Sequence, residues 1–170
     1  MDNVLIISDS HGLHGELTMI AQRHHLSHMI HCGDSELPED APELKGFIKV
    51  AGNCDMDQRY VNEQTVMINN LNFFVTHGHL NRVKSTFLPL TYRANEVNAD
   101  VVCFGHTHIA GVEEIDGILY INPGSIRIPK GKYGKTYVIV TFRDENSLDV
   151  SFHSSTGEKV EALSYHYTAK

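Results

Sequence analysis

The chain has 170 residues, 41% of them hydrophobic and 21% charged, with a formal net charge of -7. That is length enough for one domain with a real core, in a composition ordinary for a soluble globular protein. The acidic balance argues against non-specific binding to nucleic acid or to an anionic membrane, both of which reward basic surfaces.

A phosphate-bearing substrate stays compatible with that charge, because bound metal reverses the local sign. No apolar stretch approaches a membrane-spanning length, and the N-terminus runs into a strand without a signal-peptide pattern, so a cytoplasmic location is expected. Cys32, Cys54 and Cys103 lack Cys-x-x-Cys spacing, which argues against a disulfide framework or a zinc ribbon.

Val4 to Ile7 reads as a short buried strand that ends in Ser8-Asp9-Ser10-His11-Gly12. Leu13, Leu17, Ile20, Ala21 and His24 then recur at helical spacing. Met29 to Cys32 is a second strand, closed by Gly33-Asp34, and the strand–helix–strand rhythm predicts a parallel pair with a right-handed crossover. Residues 35–46 carry two prolines and several acids, so a loop with at most one helical turn is expected. A third strand over Phe47 to Ala51 leads into Gly52-Asn53-Cys54-Asp55. Asn69-Asn70, between Val66–Ile68 and Leu71–Val75, suits the positive φ angles of a tight hairpin.

The second arm of that hairpin ends in Thr76-His77-Gly78-His79. Residues Tyr92 to Val97 are expected to be helical, with Pro89 near the start. Val101 to Phe104 is another buried strand, followed by Gly105-His106-Thr107-His108. Asp116-Gly117 marks a second hairpin, and Thr136 to Phe142 with Leu148 to Phe152 forms a last antiparallel pair. The tail after Thr156 is expected to be poorly ordered or an edge element of a single domain spanning 1–170.

Five strand ends therefore supply Asp9 with His11, Asp34, Asn53, His77, and His106 with His108. Two carboxylates, one amide and four imidazoles are the donors that two divalent ions sharing a carboxylate require. Such groups converging at one sheet edge are poorly explained by stability alone. The other histidines, His14 and His31 among them, read as solvated or hydrogen-bonded. The basic stretch Arg127, Lys130, Lys132 and Lys135 reads as a solvated loop.

Asp-x-His, Gly-Asp, Gly-Asn-x-Asp, His-Gly-His and Gly-His-Thr-His, in this order, resemble the calcineurin-like metallophosphoesterase superfamily. The short length and the Gly-Asn-Cys-Asp variant are most similar to its small bacterial and archaeal phosphodiesterases. The resemblance runs from Val4 to about Ser125. It implies an α/β fold, a metallophosphoesterase-like sandwich of two mixed β-sheets flanked by helices (α-β-β-α). It also implies a ligand set: Asp9, His11 and His108 for one metal, Asn53, His77 and His106 for the other, and Asp34 bridging.

Two ions about 3.5–4 Å apart would lower the pKa of a bridging water, and the resulting hydroxide would attack phosphorus. Asn53 thus joins the catalytic set as well as the ligands. Four imidazoles favour manganese, iron, nickel or zinc over magnesium, with manganese placed first. Many relatives carry histidine where this chain has Cys54, and that histidine is held to protonate the leaving oxygen. A thiol is a poor substitute. His79 is the candidate replacement.

The expected function is a metal-dependent phosphodiesterase acting on small phosphodiesters or nucleotides, with no membrane and no stable nucleic-acid partner. The alternative is a catalytically weak metal-binding scaffold, as in a eukaryotic retromer subunit of this fold, whose lineage looks depleted in the ligand histidines that this chain retains. A nuclease ranks last, for want of a basic groove and of stacking tryptophan. Exposed hairpin edges allow a homo-oligomer.

Overall fold

The computed structural model describes residues 2–170. In chain order the elements are β1 (Asn3–Ile7), α1 (Gly15–Arg23), β2 (His28–His31), β3 (Phe47–Lys49), β4 (Glu63–Ile68), β5 (Leu71–Thr76), α2 (Leu88–Glu96), β6 (Val101–Cys103), β7 (Gly111–Ile115), β8 (Ile118–Asn122), β9 (Thr136–Phe142), β10 (Ser147–Ser154) and β11 (Tyr165–Thr168). They form a six-stranded sheet, β11-β10-β9-β1-β2-β3, and a five-stranded sheet, β4-β5-β6-β8-β7. Among the described residues no helix is long and apolar enough to cross a membrane.

Each sheet is mixed. β1, β2 and β3 run parallel, as do β5, β6 and β8, and antiparallel strands complete both sheets. The parallel strands are apolar at nearly every position because both of their faces are covered. Val4 and Ile6 of β1 meet Phe73, Val75, Val101 and Cys103 of the other sheet in the central core. Their neighbours Leu5 and Ile7 point outward onto Leu17 and Ile20 of α1. On the far side Phe74 and Val102 pack against Leu90 and Ala94 of α2. Two sheets between two helical layers is the α-β-β-α sandwich.

Several boundaries move from the sequence expectation. α2 begins four residues earlier than Tyr92, with Pro89 at its start, where a missing N–H costs nothing. β4 reaches back to Glu63 because β5 pairs with it along its whole length. The tail resolves in favour of an edge element: β11 pairs antiparallel with β10, and Tyr167 is buried with its hydroxyl donating to the Gly117 carbonyl at 2.7 Å.

Both hairpin turns adopt the expected positive φ, at Asn69 (50°) with Asn70 (66°) and at Asp116 (51°) with Gly117 (83°). All the motif loops leave the carboxyl ends of β1, β2, β3, β5 and β6. Those ends belong to two sheets, so the single sheet edge expected from the sequence is in fact two edges facing each other.

Candidate metal centre

The β1 loop is tied to the β2 loop by backbone bonds, with the N–H groups of Asp9, His11 and Gly12 donating to the carbonyls of Gly33, Asp34 and Ser35 at 3.0, 2.9 and 2.8 Å. The β2 and β3 loops are held by Asp55, whose carboxylate accepts from the N–H groups of Asp34 (2.8 Å), Glu36 (2.9 Å) and Gly52 (2.7 Å). Contact across the sheets is closer still. A Cβ on Gly105 would lie 2.0 Å from Ser8 Oγ and 2.5 Å from Asp9 Oδ2, and one on Gly52 would lie 2.0 Å from Asp34 Oδ1. Only glycine fits at either position.

Three imidazoles are anchored alike. His77 Nδ1–H donates to the Cys32 carbonyl at 2.8 Å and His108 Nδ1–H to the Ile128 carbonyl at 2.7 Å. His11 Nδ1 pairs with Glu36 Oε1 at 2.6 Å. A carbonyl can only accept, so the proton of neutral His77 and His108 sits on Nδ1 and the lone pair on Nε2. Those Nε2 atoms face other acceptors. His77 Nε2 is 3.1 Å from Asn53 Oδ1 and 3.2 Å from Asp34 Oδ2. His108 Nε2 is 3.1 Å from Asp9 Oδ1 and 3.2 Å from His11 Nε2. Asp9 Oδ1 is buried with no hydrogen-bond donor aimed at it, while Ser8 Oγ donates to Oδ2. With those nitrogens unprotonated, the lone pairs that converge here are what a cation requires.

Asp9, His11 and His108 bring one donor atom each within 4.8 Å of one another, and so do Asp9, Asp34 and His77. A third group, His11 with Glu36 and Cys54, meets the same spacing; the first two, made of predicted ligands, are able to hold divalent ions. Asp9 belongs to both, whereas the resemblance gives the shared role to Asp34. Asp34 Oδ2 also reaches both sides, at 3.2 Å from His77 Nε2 and 3.9 Å from His11 Nε2. Asn53 is exposed at the rim. The His106 ring stands beside that of His77, centroids 5.1 Å apart, outside the two tight clusters.

The electrostatics fit a cation-binding site. Burial acts to raise the Asp9 pKa, but His108, His11, the charge of His77 and the Ser8 hydroxyl outweigh it and hold the carboxyl well below the usual range. Burial opposes ionisation of Asp34 too, and His77 with the Cys54 N–H overcomes it. The Asp9 carboxylate raises the pKa of His11 to about 9. Burial, aided by His77 and Lys84, lowers that of His106 to about 4. Cys54 is exposed, and partial desolvation with the charge of Asp34 pushes its thiol up to about 11, a weaker acid than free cysteine. The His79 ring packs 5.3 Å from that of His77, its Nδ1 is buried without a partner, and burial lowers its pKa.

His31 behaves as expected. It accepts from the Gly33 N–H (3.1 Å), pairs with Ser10 Oγ (2.8 Å), and has no lone pair to spare. The basic stretch is exposed as expected at Arg127, Lys130, Lys132 and Lys135, and the Arg127 guanidinium also donates to the His11 carbonyl at 3.0 Å. Sequence reasoning gave no role to Glu36, Asp55, Ser8 or Ser125, whose hydroxyl donates to the Asp9 carbonyl at 2.7 Å. All four position ligands. Ser8, Asp55 and Ser125 lie inside or beside recognised motifs, a signal that could have been read; Glu36 does not.

Residues 3–145 match the family model of the calcineurin-like phosphoesterase superfamily domain. The chain is 46% identical to the probable metallophosphoesterase YsnB of Bacillus subtilis over 98% of its own length and 99% of that protein. A crystal structure of a predicted phosphoesterase from Streptococcus pneumoniae superposes with a TM-score of 0.92 at 30% identity, covering 98% of this chain and 97% of that one. The phosphodiesterase YfcE of Escherichia coli is 38% identical over 98 residues, 53% of this chain and 50% of the other.

Proposed function

The chain belongs to the calcineurin-like phosphoesterase superfamily, a family of metal-dependent hydrolases, and from that premise we propose that it is a two-metal phosphodiesterase of small phosphodiesters or nucleotides. One observation carries this reading: imidazole and carboxylate lone pairs converge, each oriented by a backbone or carboxylate partner, with Asp9 Oδ1 buried and without a donor. The donor set fits two divalent ions, with Asp9, His11 and His108 on one side, Asn53, His77 and His106 on the other, and Asp34 between. Four nitrogens among the donors favour a transition metal, manganese first, then iron, nickel or zinc.

When bound, such ions lower the pKa of water and neutralise phosphoryl charge. The chain's own part is positional. Asn53 at the rim presents an amide to an incoming phosphoryl group, and Arg127 braces the His11 loop. Water oxygen bonds to phosphorus, the ester P–O bond breaks, and the leaving alkoxide needs a proton. Cys54 is badly suited to give one, with its thiol raised to about 11. His79 is the proposed donor, since a buried nitrogen without a partner is not an ordinary surface histidine. Burial and the charge of His77 lower its pKa, which makes its protonated form a better proton donor than that of a free imidazole.

The test is hydrolysis of a bis-aryl phosphate by metal-stripped protein before and after manganese is restored, alongside the matching monoester. Metal-restored turnover that favours the diester is expected. Inactivity with manganese, nickel and zinc, despite measured metal binding, would favour the scaffold reading. His79→Ala is expected to slow alkyl esters more than aryl esters, by on the order of 10²-fold. Equal losses on both would remove His79 from the role.

A further inference from the structure

Next to the metal centre, on the outer face of the five-stranded sheet, lies a cavity of about 460 Å³. That is within the range of about 300–1,000 Å³ typical of small-molecule sites. Leu90 and Ala94 of α2 pack on this face, and the cavity lies at the start of the helix, between Phe87 and the edge strand β7. Its walls combine the rings of Phe87, Phe104 and Tyr120 with aliphatic Val83, Ile109 and Val112. Phe104 and Tyr120 are buried and held in place, Phe87 meets Phe104 edge-on at 5.2 Å, and Phe87 stacks on Tyr120 at 6.3 Å.

The cavity shares a wall with the metal centre. Thr107, which lines it, lies between His106 and His108, and Asn122 donates to Thr107 Oγ1 (2.9 Å) and to the Gly105 carbonyl (3.2 Å). Lys84 and Lys130 stand at its edge against one acid, Glu113. Lys84 is near enough to the centre for its charge to act on His106.

Resting on the phosphodiesterase reading, we propose that this cavity receives an aromatic ester arm of the substrate, a flat ring of aryl or nucleobase type, while the phosphoryl group sits at the metal centre. An apolar, ring-lined space that opens beside a phosphate site recovers the burial of a flat hydrophobic group. The two lysines favour a π-rich or anionic arm and disfavour a cationic one. Gly111 of β7 borders the cavity, and a Cβ there would meet nothing within 4 Å, so a side chain can be added into open space.

The experiment measures binding of two phosphonates to manganese-loaded protein by calorimetry: methylphosphonate, which has the head group alone, and 1-naphthylmethylphosphonate, which adds a nucleobase-sized ring. The wild-type chain should bind the naphthyl compound at least about tenfold more tightly. Gly111→Val should bring the two affinities within about twofold by weakening only the naphthyl compound. Failure of methylphosphonate to bind would remove the metal-centre reading on which the pocket rests. Methylphosphonate binding with no naphthyl advantage in the wild type overturns the pocket alone, whether or not the variant folds. A naphthyl advantage that survives Gly111→Val in a folded variant places the ring elsewhere and also overturns it.

Discussion

The two hairpin turns and the metal-site loops use the same backbone conformation for different ends. Asn69, Asn70, Asp116 and Gly117 sit at positive φ because the turn geometry demands it, and each is a residue type that accepts it. Asp9 (54°), His11 (40°), Asp34 (58°), Glu36 (56°), His106 (71°) and His108 (60°) sit there too, yet they serve by their donor atoms. A histidine in this region stores on the order of 1–3 kcal/mol, which surrounding structure must hold. In the hairpins, residue choice relieves the strain locally. At the site, Asp55 and the backbone bonds between loops hold it from a distance. Apart from Gly, Asn and Asp, the positive-φ residues are His11, Glu36, His106 and His108 at the site and Arg82 outside it. Most of the strain without a local remedy thus lies where the chemistry is.

Removing a donor breaks this comparison most severely. Asp34→Asn keeps the shape and the acceptor for the Cys54 N–H (2.8 Å) but loses the charge. Metal-dependent diester turnover should fall by on the order of 10³-fold, equivalent to several kcal/mol of charge stabilisation. Melting curves should show the same loss. Metal at a hundred times its dissociation constant stabilises a native protein by about 2.7 kcal/mol, and the variant should gain much less.

Glu36→Gln tests the orienting layer with a smaller effect. Its partner His11 should remain in place but less firmly held, and metal affinity read by competition with a chelating dye should drop about 10–100-fold. An unchanged affinity would make Glu36 a bystander.

The hairpin gives the smallest effect. Asn70→Ala should cost about 1 kcal/mol in denaturant unfolding, and Asn70→Gly should leave stability unchanged or slightly raised, both with normal turnover. A turnover change from either would mean that the two regions are coupled after all.

The elements with clean local patterns are legible in the amino-acid order alone. β1, β6 and both hairpins follow from short apolar runs and turn residues, and the donors are readable because they sit at strand ends, nearly all beside glycine. β11 is half legible, since a tail rich in tyrosine and histidine carries no alternation strong enough to commit it to a strand. Only its pairing with β10 and the burial of Tyr167 decide it. The bond from Arg127 to the His11 carbonyl is not legible, because charge density says nothing about which carbonyl lies within reach.

By itself, the sequence determined which donor atoms exist, in what order, and at the ends of which strands, because these are properties of local pattern and side-chain chemistry. Tertiary structure alone decided that the donors come from two sheets and that Asp9 and Asp34 each reach both His11 and His77. It also decided that Glu36 and two carbonyls fix the imidazoles, and that a partly aromatic cavity opens beside them. The physical reason is range. Strand formation and turn type follow from neighbouring residues, whereas the distance between two lone pairs depends on how two sheets pack, and the residues that set that packing are scattered along the whole chain.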